Sequence, residues 1–198
     1  MVSPHVISAV RAQDRWGDER ATTMVTDLSG LVQGLGASTG SERFASYETL
    51  ISMGAEALPA IRTGLRDPHW QVRRWAAMVL DQIADEEALV ELVPLLTDPH
   101  PKVRLWAVHS IACEHCKEDV SCPVDIVPLL VERIRRDESI RVRRMAVIML
   151  GSEFADPRAI PVLKEVLNAE SDMKIRAHAE VALALLRDAD VGHAGPAL

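Results

Sequence analysis

One nine-residue pattern recurs four times in phase along this chain, and that recurrence restricts the fold more than any other feature. The copies read VRRWAAMVL from Val72, VRLWAVHSI from Val103, VRRMAVIML from Val142 and IRAHAEVAL from Ile175, with starts 31, 39 and 33 residues apart. An arginine follows the first position each time: Arg73, Arg104, Arg143 and Arg176. Four residues after that first position stand Ala76, Ala107, Ala146 and Ala179, and eight after it Leu80, Ile111, Leu150 and Leu183. Positions 0, 4 and 8 share one face of an α-helix, so each copy is a predicted helix that buries this stripe.

A second apolar segment precedes each copy: LPAIRTGL from Leu58, ALVELVPLL from Ala88, VPLLVERI from Val127 and IPVLKEVL from Ile160. Pro59, Pro128 and Pro161 sit near the start of three of them, where a missing N–H costs nothing. Asp67-Pro68 and Asp98-Pro99 close the first two of these pairs, the Asp expected as helix cap and the Pro in the first turn of the next helix. The unit is therefore helix A, a tight turn and helix B. One such pair cannot cover its own apolar face, but a stack of pairs can.

The DP-x-x-VR turns and the in-phase helices resemble the HEAT-repeat family, over roughly Leu28 to Leu186. The resemblance implies an all-α solenoid, a superhelix of stacked antiparallel helix pairs used mainly as a scaffold that binds other macromolecules. Residues 27–54 read as a divergent first repeat, with Ser41 as its helix cap and Gly54 as its stop. Further repeats are expected at about 55–84, 86–115, 124–152 and 157–186, framed by an N-terminal tail or loose capping helix (1–26) and a disordered tail (187–198).

Composition narrows the function. The chain has 198 residues, enough for one continuous core, and 48% of them are apolar. It contains no apolar run near 18 residues, and its first residues lack the charged start and apolar core of a secretory signal. Three clustered cysteines are not a secreted disulfide framework, so a cytoplasmic location is expected. A formal net charge of −7 disfavours a general nucleic-acid binder. The expected partner is another protein.

Two surface features suit such a partner. Arg73, Arg104, Arg143 and Arg144 belong to an arginine column, which reads either as an anion contact or as a ladder pairing with the turn acids Asp67, Asp98, Asp137 and Asp172. Positions 3, 6 and 10 of each helix B flank the core stripe. They hold Trp75, Met78 and Gln82, then Trp106, His109 and Cys113, then Met145, Ile148 and Ser152, then His178, Val181 and Leu185. Stacking aligns them into an apolar band carrying two tryptophans, to which Trp70 could add, and aromatic anchors of this kind mark partner sites.

The remaining feature is an interruption at about 113–123. From position 8 of one helix B to the next helix A, the chain spans 9 residues from Leu80 to Leu89 and 11 from Leu150 to Pro161, but 17 from Ile111 to Pro128. The added stretch, CEHCKEDVSCP, holds Cys113, Cys116 and Cys122, which is every cysteine in the chain. His109, Cys113 and Cys116 follow i, i+4, i+7 spacing, and His115 lies in the loop. Thiolate and imidazole at such spacings suit zinc, with His109 or His115 as the fourth ligand.

The resembled family also includes enzymes with recognisable residue patterns. Deoxyhypusine hydroxylase uses repeated His-Glu pairs, and no histidine here is followed by Glu. Alkylpurine DNA glycosylases use a basic cleft with Trp and Asp, against which the acidic balance argues. Nothing in the residues specifies the chromophore pocket of HEAT-like bilin lyases. The expected function is a non-catalytic protein-binding scaffold or adaptor. The alternative is a metal-binding or thiol-dependent enzyme centred on Cys113, Cys116 and Cys122.

Overall fold

A computed structural model of the protein describes residues 27–113, 116, 120, 123–152 and 156–192, the side chains of 152 and 188–192 excepted. The expectations for residues 1–26 and 193–198, and for His115 and Cys122, lie outside the described residues.

The pairs are α1 (Leu28–Gly34) with α2 (Gly40–Met53), α3 (Leu58–Gly64) with α4 (Trp70–Ile83), α5 (Glu86–Val90) with α6 (Pro101–Ala112), α7 (Val127–Arg136) with α8 (Ile140–Ser152), and α9 (Ile160–Ala169) with α10 (Met173–Gly192). Among the described residues there is no strand. The even-numbered helices pack in series, α2 on α4, α4 on α6, α6 on α8 and α8 on α10, and form one layer. The odd-numbered helices form the other, α1 beside α3 and α7 beside α9. The expected stripe is the core: Val72, Val103, Val142 and Ile175, the four alanines, and Leu80, Ile111, Leu150 and Leu183 are all buried.

Small residues set the helix spacing. A Cβ on Gly34 would collide with Ser46, and one on Gly64 would lie 3.3 Å from Ala76 Cβ. Ser46 therefore fills in the first pair the place that alanine fills in the others. Arg43 and the fully buried Leu50 complete the same pattern in α2.

The local signals differ from expectation in several places. Thr39, not Ser41, caps α2, because its Oγ1 accepts from Glu42 N at 3.3 Å in a Thr-x-x-Glu sequence. Asp67 and Asp98 are not helix caps. Each accepts from the backbone N–H two residues on, His69 at 2.7 Å and His100 at 2.8 Å, and those histidines hold the cap position. The first helix of the third repeat is divided: α5 ends at Val90 and a 3₁₀ turn follows over Val93–Thr97, because Pro94 supplies no N–H to continue the α ladder. Helix α10 continues past the expected end at Leu186 to Gly192, since Arg187 to Val191 contain no breaker.

The arginine ladder exists, with a register shifted by one repeat. Arg73 grips Asp98 through Nε at 2.7 Å and Nη2 at 3.0 Å, and Arg104 grips Asp137 at 2.7 and 2.8 Å. Arg143 grips Glu170 rather than Asp172, at 3.0 and 3.4 Å, and Arg144 reaches Asp172 at 3.4 Å. The Nη1 of each ladder arginine turns back to its own turn: Arg73 to Asp67 O at 2.8 Å, Arg104 to Asp98 O at 2.8 Å, Arg143 to Asp137 O at 3.0 Å. Arg43 does the same to Ala37 and Ser38. Each guanidinium thus closes one turn and clamps the next repeat, so the fork geometry of Arg is essential here.

Trp70 joins this turn edge instead of the apolar band. Its ring stacks on His100 at 3.7 Å and 3°, with Lys102 Nζ 5.2 Å from the Trp70 ring. His100 Nδ1 accepts from Lys102 N at 3.2 Å, which requires that nitrogen to be unprotonated. Burial, then the Lys102 charge, push the imidazole below its ordinary value. A lowered folded-state value favours the neutral form, so the stabilisation is complete above the unfolded value of about 6.5 and is lost as pH falls through the folded one. An NMR titration of the His100 ring is expected to show a midpoint below 6.5, and that midpoint should rise in Trp70→Ala.

Candidate functional site

The even-numbered helices present the expected band. Phe44 and Tyr47 on α2 lead to Trp75 and Met78 on α4, Trp106 and His109 on α6, Met145 and Ile148 on α8, and Val181 and Leu185 on α10. Tyr47 meets Trp75 edge-on at 5.4 Å, Trp106 meets His109 edge-on at 5.3 Å, and Arg74 lies 5.6 Å over the Trp75 ring. The centre of the band is half-buried, so Trp75 and Trp106 both pack on the core and present an edge to solvent. Its ends are open: Phe44 is 54% exposed, Val181 58% and Leu185 47%. Trp75 and Trp106 lie half-buried on this face, and Phe44 and Tyr47, which read in the sequence as part of the core stripe of the divergent repeat with Leu50 and Ile51, extend it instead.

The charged candidates behave differently. Arg73, Arg104, Arg143 and Arg144 are engaged in the ladder, with side chains only 14, 12, 19 and 28% exposed. Their donors hold the repeats together.

The third constellation sits at the C-terminal ends of α4 and α6, next to the band. His109 on α6, Cys113 just past its end and Cys116 in the following turn come together, although α6 ends at Ala112 and does not run on to Cys116 as the helical spacing assumed. Asp81 from α4 joins them, and one ligand atom from each of the four lies within 4.8 Å of the others. His109 Nε2 is 3.3 Å from Asp81 Oδ2 and 3.7 Å from Cys116 Sγ, and the two Sγ atoms are 2.9 Å apart. His109 Nδ1 is buried without a hydrogen-bond partner among the described residues.

Asp81 is the residue that the sequence reading missed. Its signal was available: the equivalent places in later repeats are Ala112, Gly151 and Ala184, so an acid stands in a column of small residues. It is only 4% exposed. Burial, the hydrogen bond from the Cys113 thiol and the Asp81 charge push the Cys116 thiol up to about 12. Tyr47 borders the cluster, and its hydroxyl is pushed up by burial and then by Asp81.

No helix among the described residues is long and apolar enough to cross a membrane. Comparison with known proteins agrees with the architecture. The chain is similar in structure to a protein in the CpcE–CpcF complex of phycocyanin lyase from Nostoc sp. PCC7120, with 23% identity and a TM-score of 0.67 over 79% of this chain and 97% of that one. It is also similar to an engineered protein, with 20% identity and a TM-score of 0.49 over 81% and 79% of the two chains. A designed armadillo repeat protein in complex with a (KR)4 peptide gives 19% identity and a TM-score of 0.48 over 86% and 94%. No curated protein matches in sequence. The family model for HEAT repeats matches residues 28–112 and 90–184, nearly the whole described chain, and with the stacked pairs and their arginine ladder this places the protein in the HEAT-repeat family.

Proposed function

We propose that this protein is a non-catalytic scaffold or adaptor, and that it binds another protein along the band on its even-numbered helices. The observation that carries this reading is the set of half-buried side chains on the even-numbered helices, Trp75 and Trp106 among them, with the exposed Phe44 at one end and Val181 and Leu185 at the other. Half-buried tryptophans flanked by exposed apolar side chains are typical partner anchors. The fold is compatible with the role: a structurally similar chain was solved in a complex of CpcE and CpcF. The ladder arginines act inside the fold, so the partner is expected to present apolar side chains more than acidic ones.

The test uses positions whose change leaves the core intact. Val181→Asp with Leu185→Asp, and separately Phe44→Asp, should leave the melting temperature within experimental error. Each should weaken capture of the partner at least tenfold. Trp106→Ala should weaken capture more than it lowers stability. Unchanged capture in all three variants would refute docking on this face.

A further inference from the structure

We infer that Asp81, His109, Cys113 and Cys116 form a four-ligand zinc site that ties the C-terminal end of α6 to α4 across a repeat boundary. The inference is independent of the docking surface and goes beyond it, because it concerns how the interrupted repeat is fixed.

The donor set and its geometry carry the argument. Structural zinc is bound by four nitrogen, sulfur or carboxylate oxygen donors in a tetrahedron, with bonds of about 2.0 to 2.3 Å, so donor atoms stand roughly 3.3 to 3.8 Å apart. The His109–Asp81 and Cys116–His109 separations, 3.3 and 3.7 Å, already match such edges. The two sulfurs, at 2.9 Å, need only a modest rotation of Cys116 to open to a tetrahedral edge. Two thiolates, an imidazole and a carboxylate suit zinc better than magnesium or calcium, which prefer oxygen alone.

Burial points the same way. Asp98 and Asp137 are buried where an arginine of the preceding repeat clamps them. Asp81 is buried to the same degree, and a ligand atom of each of two thiols and an imidazole lies within 4.8 Å of its carboxylate. A cation in their midst compensates a carboxylate and two thiolates together, as the arginine does in the ladder. Ligation through His109 Nε2 would also fix the tautomer with its proton on Nδ1.

The architecture supplies the need. Elsewhere the chain passes from one helix B to the next helix A in a short connection, and here the connection is long. A closed metal site holds such a segment with no extra apolar core. The role assigned is structural. With Asp81 as the fourth donor, zinc binding is expected not to require Cys122, which lies outside the described residues.

The experiment is a metal analysis of the full chain, purified reduced and without a histidine tag, followed by cobalt titration of the metal-free protein. The expected result is about one zinc per chain and, with cobalt at one equivalent, the visible bands and thiolate charge-transfer absorption of a tetrahedral site with two sulfurs. Asp81→Ala and His109→Ala should each weaken zinc binding at least tenfold, as measured by competition with a chromophoric chelator, and Cys122→Ser should not change it. The wild-type cobalt spectrum does not depend on whether the variants fold. Absence of zinc and of any tetrahedral cobalt spectrum in the reduced wild-type chain would overturn the site. Zinc lost in Cys122→Ser but kept in Asp81→Ala would overturn the assignment of Asp81.

Discussion

Arg104→Ala is expected to destabilise the protein by about 3 kcal/mol, the lower end of the cost of removing one partner from a buried ion pair. Arg104 is 12% exposed and Asp137, which it grips at 2.7 and 2.8 Å, has no exposed side-chain surface. Without the guanidinium the Asp137 carboxylate is left in the core. It keeps only the Ser139 N–H at 2.9 Å and Arg133 at 3.7 Å, and Asp98 O loses its donor. For a repeat domain of this size the melting temperature should fall by roughly 6 to 12 °C. Asp137→Asn removes the stranded charge and keeps an acceptor for Ser139 N. Arg104→Ala with Asp137→Asn should therefore lose less than the sum of the single changes, and the double-mutant cycle should show coupling above about 1 kcal/mol. Additive losses would mean that the ladder is ornamental.

Ala107→Leu tests packing where no charge is involved. Ala107 is fully buried in α6, between neighbours in the even-numbered layer. The added carbons must displace packed neighbours, and overpacking of this kind costs roughly 1–3 kcal/mol. Gly151→Leu in α8 should cost at least as much. A Cβ at Gly151 overlaps Ala182 Cβ and lies 3.0 Å from Ala182 Cα, so the obstacle includes the backbone of α10. Urea unfolding followed by circular dichroism measures both. A loss below 0.5 kcal/mol at each position, within the range of ordinary surface changes, would contradict close helix contact.

The legible parts of this fold are those set by short-range rules. The in-phase stripe of Val, Ala and Leu placed the even-numbered helices and their buried faces, because helical periodicity is a local property. Pro59, Pro128 and Pro161 mark the first turns of α3, α7 and α9. What was not legible depends on the neighbour across the stack. The carboxylate partners of the ladder arginines are chosen by the offset between repeats, so Arg73 pairs with the Asp98 carboxylate and meets its own Asp67 only at the backbone carbonyl. The fourth member of the thiol cluster comes from α4, while its companions follow one another in and after α6. Nearness in sequence could suggest His109, Cys113 and Cys116, although Cys113 and Cys116 lie beyond the end of α6, but only stacking brings Asp81 to them. The first repeat was blurred because Ser46 stands in the alanine column, although Arg43 and Leu50 keep the register.

The central functional claim is that the even-numbered helices carry the docking surface. Site-specific photo-crosslinking measures this most directly. A photoreactive amino acid is placed at Val181 on the band or at Lys164 on α9, in the other layer; both positions are exposed. The account predicts that the Val181 probe forms one discrete adduct with a protein partner, that the adduct disappears when Phe44→Asp and Leu185→Asp are introduced, and that the Lys164 probe forms none. Adducts from Lys164 and none from Val181 would place the partner on the opposite layer and contradict the account.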